Sequence, residues 1–529
     1  MQEFDYVIVG GGSAGSVLAG RLSEDAAVSV CLLESGGKGD SWVVKAPIGC
    51  VAMMPTTINN YAFETAPQPG LNGRRGYQPR GRALGGSSAI NAMVYIRGHQ
   101  VDYDHWEALG NRGWSYADML PYFKRSEHNS THGGHYHGKG GPLHVGELQT
   151  DNPFHHLYLK AARQAGYPIN DDFNGAVQEG IGIYQVTQKD GERWSAARGF
   201  LHPHMGVRSN LTVETGASVQ RVLFEGRRAI GVEAVQGGGL RTIRARREVI
   251  VSAGAFGSPQ LLMLSGVGPG AHLQQQGVRV LHDLPGVGQN LQDHPDFVFA
   301  YYAKSLDLLG FSPSGLLRGG GNLLRYARSR RGMFGTNFAE GGGFLRTDEA
   351  LAAPDIQLHF VVAIVDDHAR KLHARHGYSC HVCLLRPASR GSVTLRSLDA
   401  ADAPLIDPNF FGAQEDVEAM VKGFRMTRKL MDAPALAAVR HRELYTQGVE
   451  TDEQIRAILR QRTDTVYHPV GTCKMGSDGM AVVDDKLRVH GLQGLRVVDA
   501  SIMPTLVGGN TNAPTIAIAE KAVDLIREA

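Results

Sequence analysis

Two polar segments near the C-terminal end carry residue types suited to moving a proton. Thr465-Val466-Tyr467-His468-Pro469-Val470-Gly471 presents an imidazole, the side chain whose ordinary pKa best suits it to take a proton from a hydroxyl. Gly508-Gly509-Asn510-Thr511-Asn512-Ala513-Pro514-Thr515 opens a terminal helix, and an amide there adds a neutral donor to the positive end of a helix. A histidine before proline also serves simple packing, and Asn512 with Pro514 also reads as a helix start. At the other end, Gly10-Gly11-Gly12-Ser13-Ala14-Gly15 is a G-x-G-x-x-G pattern, and Glu34 lies 19 residues beyond Gly15. Such glycines let backbone approach a pyrophosphate, and the acid accepts from a ribose hydroxyl.

Two further clusters suggest chemistry but lack its context. Cys380-His381-Val382-Cys383 sits inside an apolar strand pattern with neither a helix start nor a second cysteine pair, so strand packing is expected, not a redox or metal site. His128, His132, His135 and His137 crowd a glycine-rich loop without ligand spacing on any element. No metal is expected.

The elements around these residues form a pattern. Tyr6-Val7-Ile8-Val9 reads as a buried strand, 16–23 as a helix, and 28–33 as a second strand ending at Glu34. Another strand–helix unit runs from Glu248 to Gly266, with Ser258 expected as N-cap, Pro259 in the first helical position and Gly266 as the stop. Arg80 to Tyr95 is a glycine- and serine-rich loop, suited to a phosphate or a flat ring. The fold class expected is α/β: a Rossmann-like dinucleotide domain with an inserted α+β substrate domain on an antiparallel sheet. The first spans 1–150, 211–300 and 462–529, the second 151–210 and 301–461. No second full fingerprint exists, since Gly286-Val287-Gly288-Gln289-Asn290-Leu291 lacks the third glycine. That weighs against a reductase fed by a second nucleotide.

A chain of 529 residues exceeds one ordinary core. Its 54 basic and 52 acidic residues give a net charge of +2, which argues against nucleic acid as a partner. Five cysteines form no disulfide framework. The N-terminal residues lack a basic, then apolar, leader, and no apolar run reaches the ~20 residues of a membrane span. The expectation is a cytoplasmic protein without a transmembrane segment, monomer or dimer.

The ordered blocks together resemble the glucose–methanol–choline (GMC) oxidoreductases over essentially the whole length. They are the fingerprint with Glu34, Gly81 to Gly98, Gly254 to Gly268, Gly286 to Pro295, and the pair of His468 and Asn512. The resemblance implies FAD and oxidation of an alcohol by hydride transfer to the flavin. It implies His468 as general base and Asn512 as the amide bonded to the developing alkoxide. Cofactor contacts are expected at Gly10, Gly12, Ser13, Ala14, Gly15, Glu34, Arg82, Gly85, Gly86, Ser87, Asn91, Ala92, Met93, Val94, Val219, Tyr467, Asp499, Ala500, Asn512, Pro514 and Thr515. Some members bind FAD covalently through a histidine where this chain has Ile90, so a non-covalent cofactor is expected. Val466, Tyr467, Phe334, Phe338 and Phe360 are expected to line the alcohol pocket. The subgroup is similar to bacterial alcohol and choline dehydrogenases and hydroxymethylfurfural-type aryl alcohol oxidases. No carboxylate suited to a trimethylammonium group is evident, which disfavours choline. The expected reaction turns a primary alcohol into an aldehyde with O2 as acceptor and H2O2 as product. A quinone-linked dehydrogenase is the alternative, and an FAD-containing hydroxynitrile lyase, a light-driven decarboxylase and a non-catalytic FAD-binding protein are the others.

Overall fold

The computed structural model describes residues 2–310 and 312–528. The apolar run 6–9 is covered on both sides, and strand Gln2–Val9 lies inside a seven-stranded sheet. Val7 pairs in parallel with Cys31 on one side and Val249 on the other. Leu211–Thr215 extends the sheet beyond Val30–Glu34, and Leu495–Val497 adds a parallel strand beside Val249–Val251. Ala217–Glu225 and Arg228–Gln236 complete it as antiparallel neighbours. The carboxyl ends at Val9, Glu34, Val251 and Val497 therefore share one edge, where ligands bind in sheets of this kind. Helices Ser13–Leu22 and Asn512–Arg527 pack together against the sheet in one apolar core.

A second seven-stranded sheet is wholly antiparallel. Its order runs Arg440–Leu444, Pro295–Ala303, Gly377–Leu384, Ile356–Val361, Ala339–Leu345, Gly180–Ile183, with Asp464–Thr465 added beside Pro295–Ala303. Strand alternation sorts its side chains. Leu358, Phe360, Tyr378, Cys380 and Val382 enter a core shared with helix Gln414–Met431, while Val361 and Cys383 face the other way. The division expected at 300 falls inside Pro295–Ala303, and Ala196 to Leu201 pack in the first core.

Helix Gly254–Leu264 begins four residues before the N-cap expected at Ser258. Asp499, from the far end of the chain, accepts from Gly254 N at 2.8 Å and Ser258 Oγ at 2.5 Å. It does the capping that local sequence assigned to Ser258. Gly266 ends the unit as expected, in a left-handed conformation with φ +82°. Cys380 and Cys383 are buried in a strand with burial raising both thiols above the ordinary range. His137 is held by Glu127 and Asp172. No group of metal-ligating residues occurs among the described residues.

Candidate active site

The strand ends and both sheets converge on one cavity of about 640 Å³, within the size range of ligand sites. Its first half is backbone-rich. Gly10, Gly12, Ser13 and Ala14 line it, with Glu34 at the end of the next strand. Gly10 has φ +100°, and a Cβ there would lie 2.5 Å from Ser252 O, so the turn requires glycine. Glu34 Oε2 accepts from Gly11 N at 2.9 Å and Oε1 from Gly36 N at 2.8 Å. Burial raises its carboxyl pKa, and those two donors oppose the shift. Gly86, Ser87, Asn91, Ala92, Met93, Val94, Val219, Tyr467, Asp499, Ala500, Asn512 and Thr515 also line the cavity. A glycine cradle, a helix N-terminus and an acid at the adjacent strand end fit a dinucleotide.

Four expected contacts are not among the lining residues. Gly15 packs the helix on the strand, since a Cβ there would fall 1.9 Å from Gly10 O. Gly85 donates from its amide to Gly11 O at 2.7 Å, bracing the fingerprint loop. Arg82 stacks on Tyr61, 5.4 Å from the ring centre, and Pro514 is buried in the first turn of the terminal helix.

The other half holds the histidine expected as base. His468 is only 8% exposed. Its backbone N donates to Asp293 Oδ1 at 2.9 Å, and Tyr467 before it adopts φ +76°. Arg80 Nη2 donates to Tyr467 O at 2.7 Å, and Tyr467 Oη lies 2.7 Å from His368 Nδ1. Local strain and long-range hydrogen bonds thus aim the imidazole. Burial, then neighbouring His294, His359 and Arg80, hold its pKa well below the ordinary value. A neutral imidazole with an available nitrogen is the form a general base needs.

The amide beside that nitrogen is Asn510, whose Nδ2 lies 3.1 Å from His468 Nε2. Asn512 instead accepts from Ser13 Oγ at 2.8 Å, on the fingerprint loop. The role expected for Asn512 therefore falls geometrically to Asn510, two residues earlier. Both asparagines line the cavity, but the loop turns into its helix between them and sends their side chains to different halves. Val466, Tyr467 and Phe338 line the cavity as expected, whereas Phe334 and Phe360 do not. Phe360 stacks on Tyr158 at 4.4 Å in the core behind the second sheet, because alternation turns His359 and Val361 inward. Phe334 lies against Tyr326, 6.2 Å between ring centres.

Sequence reading passed over Arg80, Asp293, His294, His359 and His381. The block from Gly286 to Pro295 was a signal for two of them, yet nothing local linked Asp293 to His468. Asp293 also accepts from Thr465 Oγ1 at 2.5 Å, and burial pushes its pKa up to about 6.

Sequence patterns described as GMC oxidoreductase match residues 4–296 and 387–519. The chain belongs to the GMC oxidoreductase family. This GMC oxidoreductase is 46% identical over 527 residues to an alcohol dehydrogenase (acceptor) of Pseudomonas putida, covering 99% of this chain and 95% of the relative. It is 45% identical to the mitochondrial choline dehydrogenase of Homo sapiens, with coverage of 99% and 90%. Among solved structures, pyridoxine 4-oxidase from Mesorbium loti superposes with a TM-score of 0.90 at 34% identity, covering 99% of both chains. The chain is an FAD-dependent oxidoreductase acting on the CH–OH group of alcohols. No helix among the described residues is long and apolar enough to cross a membrane.

Proposed function

We propose that this GMC oxidoreductase converts a primary alcohol to an aldehyde, with O2 as acceptor and H2O2 as product. The observation that carries the chemistry is the buried His468 with Asn510 at its Nε2, in the cavity that also receives the dinucleotide loop. His468 takes the hydroxyl proton at Nε2. Asn510 donates from Nδ2 to the oxygen as charge develops there. Bound FAD supplies the hydride acceptor. Glu34 would hold a ribose hydroxyl, the helix N-termini at Ser13 and Asn512 would supply donors to the cofactor's negative groups, and Ile90, having no nucleophilic nitrogen, would leave the flavin non-covalently held.

The alcohol end is walled by Phe338, Ala339, Val361, Ala363 and Val466, with His359 and His381 among its polar members. The carboxylates in the lining are Glu34 and Asp499, both engaged by backbone amides in the cofactor half, and the exposed Asp402, which accepts from Ser397 Oγ at 2.6 Å. That wall suits aryl, furanic or aliphatic alcohols better than a quaternary ammonium. We also assign 1–150, 196–294 and 466–529 to the cofactor domain and the remainder, with the whole of Pro295–Ala303 and Asp464–Thr465, to the substrate domain, in a cytoplasmic monomer or dimer.

Similarity to an oxygen-dependent choline dehydrogenase of Sinorhizobium medicae (44% identical) and to the oxidase above supports O2. Similarity to the acceptor-linked Pseudomonas putida enzyme supports a second reading, an organic acceptor such as a quinone. The test is anaerobic mixing of the yellow protein with benzyl alcohol, hydroxymethylfurfural, a medium-chain alkanol and choline, then air. Bleaching and fast recolouring with H2O2 is expected. Slow recolouring that a quinone accelerates would establish the second reading, and no bleaching with any alcohol would remove both.

A further inference from the structure

His468 can act as a base only if its pocket-facing nitrogen carries the lone pair, so its tautomer matters as much as its pKa. The hydrogen bonds around it leave a single consistent assignment of protons. Tyr184 Oη lies 2.6 Å from Leu358 O and must donate to that carbonyl. It then accepts from Gln357 Nε2 at 3.1 Å, which identifies the amide nitrogen of Gln357. The same nitrogen donates to Asn510 Oδ1 at 3.0 Å. Asn510 therefore turns Nδ2 to His468 Nε2, at 3.1 Å, and that ring nitrogen must accept.

The chain closes identically from the other side. His294 Nε2 lies 3.0 Å from Leu385 O and must carry a hydrogen. His294 is fully buried, and burial drives its pKa down to about 3, so it is neutral and has one N–H only. Its Nδ1 is then a lone pair, 3.0 Å from His468 Nδ1, which must donate. Two backbone carbonyls, Leu358 O and Leu385 O, anchor the ends of one relay.

We infer that His294 is a positioning residue that fixes His468 as the Nδ1–H tautomer, so that the lone pair sits on Nε2, where Asn510 Nδ2 donates to it until the alcohol O–H takes that place and the amide turns to the alcohol oxygen, with Gln357 and Asn510 enforcing the same choice from the opposite side. This rests on the alcohol-oxidation reading above. In the reaction the alcohol O–H proton passes to Nε2, His468 becomes the imidazolium with both nitrogens protonated, and its Nδ1–H stays on His294 throughout. Without the acceptor at His294, the buried Nδ1–H loses its partner and the unreactive Nε2–H form gains population.

The test compares His294→Leu and His294→Asn in the FAD-loaded enzyme. Asparagine places Oδ1 where Nδ1 stood, whereas leucine has nearly the same shape and no acceptor. His294→Leu should slow anaerobic flavin reduction by on the order of 100-fold, with alcohol affinity and flavin content unchanged, and His294→Asn should recover most of the rate. Equal rates in the two variants, or a wild-type rate in His294→Leu, would overturn the assignment. A measurement independent of folding uses wild-type holoenzyme with ¹⁵N-histidine. The two-bond ¹⁵N–¹H pattern of His468, identified by its loss in His468→Asn, should be that of Nδ1–H. An Nε2–H pattern overturns the inference. An Nδ1–H pattern in a protein that no alcohol bleaches would uphold the tautomer and count against the alcohol reading.

Discussion

The two asparagines of the 508–515 loop differ by two positions and by their partners. Asn510 meets the base and Asn512 meets Ser13 of the fingerprint. His468→Ala and Asn510→Ala should each retain FAD while slowing flavin reduction by ~100-fold or more, the scale for losing a base or an oxyanion donor. Asn512→Ala should instead weaken FAD retention and spare the rate of the fraction that keeps it. Stopped-flow reduction beside flavin content checks all three, and a large rate loss confined to Asn512→Ala would return the alkoxide role to that residue. Asp293 offers a pH signature. Its carboxyl is pushed up to about 6 in the fold from an ordinary 3.8. A raised carboxyl pKa stabilises the fold fully below the unfolded value, and that stability is lost as pH rises through about 6. The difference approaches about 3 kcal/mol at neutral pH. Asp293→Asn, which cannot ionise, should therefore gain stability relative to wild type between pH 4 and pH 7. Denaturant midpoints across that range measure the effect, and a pH-independent difference would remove Asp293 as its source.

At the scale of elements, the strand–turn–helix at the N-terminal end depends on contact distances as much as on turn conformation. Gly15 lies in the helix, and a Cβ there would sit 1.9 Å from Gly10 O, backbone that cannot swing aside. Gly15→Ala should force helix and strand apart, lower the melting temperature by several degrees, and release FAD. Absorbance of the purified variant at the flavin bands, with its melting curve, reports both. Wild-type flavin content would mean the unit tolerates the shift. The helix Gly254–Leu264 shows a different dependence, because its cap is Asp499, some 245 residues downstream. Local caps such as Ser115 and Thr451 accept from their own first turns and are readable from neighbouring residues. A cap delivered from another strand is not.

At the scale of the whole molecule, the cavity is lined from both sheets, by Gly10, Gly12 and Glu34 from the first and by Val361 and His381 from the second. A ligand spanning it ties the two cores together. Added FAD should raise the melting temperature with its concentration, by a free energy of about 2.7 kcal/mol at 100 times its dissociation constant. Acid precipitation should release the flavin to the supernatant. Flavin pelleting with the protein, and a melting temperature indifferent to added FAD, would establish a covalent link and overturn the reading of Ile90.

Sequence by itself determined the parts whose physics is local. The fingerprint, the strand before it and Glu34 lie within one strand–helix–strand unit, so spacing alone was enough to predict that unit, and the fold brings Gly10, Gly12 and Glu34 to one cavity wall. The Cys380–Cys383 strand was legible from its apolar run, and the left-handed stop at Gly266 from its glycine. Family resemblance brought His468 forward, and the fold sets it in the cavity. Tertiary structure decided the rest, because it rested on the parity of a strand or on pairs far apart in the chain. Phe360 and His359 are neighbours, yet the alternation of one strand sends the first to the core and turns the second to the site. The choice of Asn510 over Asn512 turned on where one loop becomes a helix. The partners that aim His468, Asp293 and His294, stand 175 and 174 residues away. Proton placement depends on which atoms meet, and no spacing along the chain encodes that.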